Sequence, residues 1–117
     1  MVRHVAKNVI PSIKTGATWQ GRQHQAKLNG VPIDITGATI LMQLRSSVTS
    51  GVTAEWSTAD GTIVPTVPGD GWFQILGRDV TWPAGSYVHD VLVVLASGRK
   101  IQFPTGEWTI NPNVSRL

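Results

Sequence analysis

Few side chains in this sequence can do chemistry. There are three histidines, His4, His24 and His89, and no cysteine. Disulfides, thiolate metal sites and cysteine nucleophiles are therefore excluded. No histidine has a metal-ligand partner at close spacing, such as a second histidine two or four residues on. On an alternating strand His89 shares a face with Tyr87 and Val91, while Asp90 points the other way. It reads as a histidine at the polar end of a core strand. Asp34, in Ile33-Asp34-Ile35-Thr36-Gly37, is placed to brace a turn, as Asp side chains do. A glycosidase needs two carboxylates about 5 to 9.5 Å apart across a cleft. The only glutamates, Glu55 and Glu107, alternate with core residues and face solvent. No Gly-x-Ser-x-Gly elbow appears. The glycines lack phosphate-binding spacing and precede no helix. The expectation is a protein that is not an enzyme, with no catalytic residue, metal or cofactor.

The elements around these residues read as strands. Glycine and proline recur along nearly the whole chain, and no stretch keeps helical spacing over three turns. Short β-branched runs lie between turn signals, which predicts an all-β fold. Ala17 to Leu28 is polar apart from Trp19 and suits an edge. Asn29-Gly30 is a hairpin signal. Ile40, Met42 and Leu44 share one face of the strand from Ala38 to Arg45. Val52, Ala54 and Trp56 alternate with polar residues. Asp60-Gly61 is read as the next hairpin. Gly71 to Leu76 is another strand, and Arg78 to Pro83 an irregular link. Ser86 to Leu95 turns apolar on both faces, as a central strand does. Ser97-Gly98 turns it back into Arg99 to Ile110. The expected architecture is an antiparallel β-sandwich, immunoglobulin-like or jelly-roll, of about seven to nine strands over residues 17–111. Residues 1–16 form an extended N-terminal arm, and residues 112–117 a C-terminal tail.

The chain has 117 residues, enough for one domain, and only 15% of them are charged. Its net charge of +3 is unevenly placed. Arg3, Lys7, Lys14, Arg22 and Lys27 precede residue 28 without an acid, and the remainder is net acidic. This fits either a solvated N-terminal arm or, as expected here, an arm that docks on an acidic surface, with Val9, Ile10 and Ile13 as anchors and Arg3 and Lys7 on the rim. Nucleic acid is disfavoured, because the bases are sparse and not interleaved with aromatics. No apolar run reaches the roughly 20 residues of a membrane span. Of the five tryptophans, Trp56, Trp72 and Trp108 fit core positions. Trp19 and Trp82 are expected at the surface, where large aromatics anchor interfaces. A carbohydrate-binding module using those two is the alternative of another class, with a glycan as its ligand.

Several segments resemble small virion proteins of tailed bacteriophages. They are Val31-Pro-Ile-Asp-Ile-Thr-Gly-Ala-Thr39 leading to Met42-Gln-Leu-Arg45, and Thr58-Ala-Asp-Gly-Thr-Ile63. Pro83-Ala-Gly-Ser-Tyr-Val-His-Asp-Val91 and Gly106-Glu-Trp-Thr-Ile-Asn-Pro-Asn-Val-Ser-Arg116 complete the set. The chain is also similar to the N-terminal β-sandwich of upper baseplate proteins, which link a tail to its receptor-binding proteins. The resemblance implies a structural subunit of the tail, baseplate or fibre-attachment region, or else a capsid decoration or head–tail joining protein. Its partners would be other virion proteins, including copies of itself. It would reside in the virion after assembly in the host bacterial cytoplasm. Arg116, in the closing motif, joins the arm residues and the two tryptophans as an expected interface residue.

Overall fold

A computed structural model describes residues 12–103 and 106–112. Eleven strand segments occur there: β1 (Ile13–Lys14), β2 (Thr18–Gln25), β3 (Lys27–Leu28), β4 (Val31–Pro32), β5 (Thr39–Arg45), β6 (Ala54–Ser57), β7 (Ile63–Val67), β8 (Trp72–Asp79), β9 (Gly85–Val94), β10 (Lys100–Gln102) and β11 (Gly106–Asn111). A short 3-10 turn, Pro68–Asp70, leads into β8. The count exceeds the expected seven to nine because β1, β3 and β4 are only two residues long.

The larger sheet runs β1-β11-β9-β5-β6, with β10 also on β9. The smaller runs β2-β8-β7, and β3-β4 form a ribbon. β1 lies parallel to β11, so the larger sheet is mixed and not purely antiparallel. Together the sheets make an all-β domain, a sandwich curled into a half-barrel. β9 is central, as its two apolar faces predict. It pairs with β5 along one side and with β10 and β11 along the other. Ile40, Met42 and Leu44 oppose Val93, Val91 and His89 in register, and all six are buried.

Turn chemistry explains how the chain moves between elements. Asn29 (φ 51°) and Gly30 (φ 78°) both take the positive φ of a type I′ turn, and they join β3 to β4. Ser97-Gly98 likewise joins β9 to β10, with the Leu95 N–H donating to the Arg99 carbonyl at 2.8 Å. Asp60-Gly61 does not make the hairpin its sequence suggests. β6 pairs with β5 and β7 with β8, so this turn carries the chain from one sheet to the other. Asp60 accepts hydrogen bonds from the Thr62 N–H and hydroxyl there. The passage from β1 to β2 is another crossing between the sheets. Ile13 packs against the core, and β1 follows β11 before the chain enters β2. The Gly16 N–H then donates to Val80 O at 2.8 Å, and the Val80 N–H to Ala17 O at 2.9 Å. Residues 12–16 therefore belong to the sandwich, contrary to the arm expected over residues 1–16. A segment that offers Ile13 to the core and backbone groups to β11 recovers its ordering cost locally.

Candidate functional site

The geometry that places the functional side chains is set where β2 crosses β8. Gly21 (φ +85°) and Gly77 face each other across this pair. A Cβ on Gly21 would sit 2.4 Å from Ile75 O, and one on Gly77 would sit 2.3 Å from Trp19 O. Only glycine permits so close an approach. The left-handed residue also resets the strand's alternation. Before it Trp19 points inward; after it Arg22, His24 and Ala26 do, opposite Ile75 and Phe73. The rings of His24 and Phe73 lie 5.5 Å apart.

The structure corrects the expectation for two tryptophans. Trp19 is 7% exposed and Trp82 is 6% exposed, so both are core residues and not surface platforms. Trp19 sits 4.9 Å from Trp108 and 5.6 Å from Trp56, centroid to centroid. Trp82 sits 6.3 Å from Trp56 and 6.2 Å from Trp108. Its link is pinned by Thr15, whose hydroxyl donates to Trp82 O at 2.8 Å. Each aromatic pair adds about 0.5–1.5 kcal/mol beyond its buried area. The Arg78 guanidinium lies 4.1 Å above the Trp56 ring and donates to Glu55 O at 2.7 Å. It closes the seam between β8 and β6.

Between the sheets, the Trp108 indole N–H donates to His89 Nδ1 at 2.7 Å. That bond puts the imidazole proton on Nε2. Burial, with the charges of Arg22 and His24 nearby, lowers the His89 pKa to about 4. His24 is also lowered, by burial first and then by Arg22. His89 is thus a buried neutral histidine, as its place on a core strand suggests. Asp34 accepts from the Thr36 N–H and hydroxyl, the turn-bracing role expected of it, and these bonds lower its pKa.

The outer face of the small sheet carries the other notable arrangement. Register sets three rows across it: Gln25, Trp72 and Val67; Gln23, Gln74 and Val64; Gly21, Leu76 and Thr62. No charged residue stands among these nine. Val64, Val67 and Leu76 are exposed, and Trp72 is half-buried. Trp72, expected in the core, instead belongs to this face, because Phe73 and Ile75 take the inward positions of β8. Sequence reading missed this face and the inward Arg22 and His24. Gly21 in mid-strand was the available signal for both.

Among the described residues no group of three or more His, Asp or Glu is placed to hold a metal, and no helix is long and apolar enough to cross a membrane. A notch beside Gln43, Arg45 and Asp90 holds about 80 Å³. A depression along Ser46, Ser86 and Glu107 holds about 280 Å³. Both fall below the roughly 300–1,000 Å³ of most small-molecule sites. Of the expected interface residues, Ile13, Trp19 and Trp82 are packed in the domain. Arg3, Lys7, Val9, Ile10 and Arg116 lie outside the described residues. No family model, curated protein or solved structure matches the chain.

Proposed function

We propose that the chain is a non-enzymatic structural subunit of a tailed-phage particle, in the tail, baseplate or fibre-attachment region. The turn and strand motifs from Pro32 to Arg116 support the phage context. The observation that carries a structural role is the uncharged patch formed by those nine residues on the outer face of β2-β8-β7, with Val64, Val67 and Leu76 exposed around Trp72. Such a face suits packing against another subunit. The basic segment before Ile13 belongs to this proposal on its composition.

The sandwich is, in this reading, immunoglobulin-like and not a jelly roll. Two features support it. The orders β1-β11-β9-β5-β6 and β2-β8-β7 match a variable-type pair of sheets. The Tyr87 hydroxyl donates to Pro83 O, four residues upstream, at 2.7 Å. That is the bond of a tyrosine corner at the start of the sixth main strand. His89 then stands two residues after this tyrosine, where antibody domains carry the second cysteine of their inter-sheet disulfide.

Mass spectrometry of purified particles tests the proposal, together with the double variant Val64→Lys, Leu76→Lys. The chain is expected at a fixed ratio to the other structural proteins. The variant should keep the isolated domain's melting temperature and fail to incorporate. Absence from particles, or unimpaired incorporation of the variant, refutes the proposal. Density at the capsid surface or head–tail joint would move the subunit there. Glycan binding has lost Trp19 and Trp82 as platforms and would have to use Trp72.

A further inference from the structure

Arg22 and His24 turn inward on β2, and their charges reach His89 on the inner face of the opposite sheet. All seven Asp and Glu side chains are exposed. The charge of Arg22 acts on both His24 and His89, and that of His24 also acts on His89. Phe73 of β8 lies against His24 and Trp108 of β11 against His89, while Ile75 of β8 opposes Arg22 and Leu44 of β5 opposes His89 in register. None of these neighbours carries charge. Nη1 of Arg22 is buried without a hydrogen-bond partner. A guanidinium N–H withdrawn from water and left without an acceptor is costly, and a cation there calls for an anion. The site is reachable. Among the described strands β2 pairs only with β8, and Arg22 and His24 are half-exposed.

We propose that this cluster is an oxyanion-binding site, entered from the free edge of β2, in which Arg22 holds two oxygens of a carboxylate, phosphate or sulfate group. A planar guanidinium matches that geometry in a way an ammonium does not. His24 contributes a further donor when protonated. A bound negative charge favours the imidazolium, so binding takes up protons and tightens as pH falls. The inference stands apart from the phage reading, because it concerns the isolated chain.

Calorimetric titration of the full chain with sodium sulfate tests it, with sodium acetate as the carboxylate arm and sodium chloride at matched ionic strength as the control. Sulfate does not titrate over the range used. Repeating the titration at pH 6.0 and 8.0, in buffers of different ionisation heat, counts the protons taken up. Sulfate is expected to bind at least 10-fold more tightly at pH 6.0, with proton uptake. Arg22→Gln should weaken it at least 10-fold, and Arg22→Lys by less. His24→Gln should bind but lose most of the uptake. A response to both sulfate and acetate supports an oxyanion site, and a response to sulfate alone narrows it to the tetrahedral anions. Should the Arg22 variants fail to fold, the His24 imidazole resonances of the natural chain read the site directly. Saturable shifts with sulfate but not with chloride support the proposal. Shifts no larger than those in chloride, or undiminished binding by Arg22→Gln, overturn it.

Discussion

Acid should destabilise this domain through His89, and the size of the effect follows from the structure. In the unfolded chain the imidazole titrates near 6.5; in the folded domain it titrates near 4. The folded value is the lower one, so the unfolded state binds the proton more readily. The stability from keeping His89 neutral is complete above pH 6.5 and is lost as pH falls towards 4. A gap of that size amounts to about 3 kcal/mol at its limit. Between pH 7.5 and 4.5 the loss is about 2.5 kcal/mol. A domain of this size has only about 5–15 kcal/mol in total. His24 shifts in the same direction and adds to the loss. Asp34 and Asp60 do not confuse the measurement. Hydrogen bonds from Thr36 and Thr62 place their pKa values below 3.8, so their contribution is lost only in more acid solution. Urea unfolding at pH 7.5, 6.5, 5.5 and 4.5, in chloride buffers free of oxyanions, gives the profile. His89→Asn keeps an acceptor for the Trp108 indole but cannot titrate. It should be less stable at pH 7.5 and have a much flatter profile. Equal slopes for the two proteins, or a natural chain that holds its stability to pH 4.5, would refute the reasoning.

Three further outcomes are open to the same assay. Gly77→Ala puts a methyl group 2.3 Å from Trp19 O and should cost about 3 kcal/mol, since backbone must move. Trp82→Ala empties part of the tryptophan cluster and should cost about 3–5 kcal/mol; a loss below 1 kcal/mol would mean that the side chain lies at the surface. Tyr87→Phe removes only the bond to Pro83 O and should cost about 1 kcal/mol with the fold intact by circular dichroism.

Alternation made part of this architecture legible. Ile40, Met42 and Leu44 on β5 and the doubly apolar β9 could be read directly, because both strands run straight through one sheet. Asn29-Gly30 and Ser97-Gly98 could be read because tight turns demand positive φ at set positions, which Asn29, Gly30 and Gly98 supply. Asp60-Gly61 misled, since the same turn chemistry serves a hairpin or a crossing between sheets, and only long-range pairing decides. β2 misled for a different reason. Its polar residues looked like a solvated face, yet Arg22 and His24 turn inward once Gly21 resets the strand. Trp19 lies before that reset and is buried. Trp82 depends on contacts with Thr15 and the distant Trp108, which no local pattern encodes.

The crossing at Gly21 and Gly77 also bears on how distant kin could be recognised. Each glycine is excluded from growing a side chain by the backbone of the other's strand, not by a neighbouring side chain that could shrink in exchange. No compensating substitution elsewhere can relieve that. A descendant chain can keep both glycines or abandon the bend, and abandoning it would turn Arg22 and His24 out to solvent. Overall identity can decay until alignment fails, while two glycines and the inverted polarity after the first persist. A search for strands that change their inward parity at paired glycines would find such kin where similarity of sequence does not.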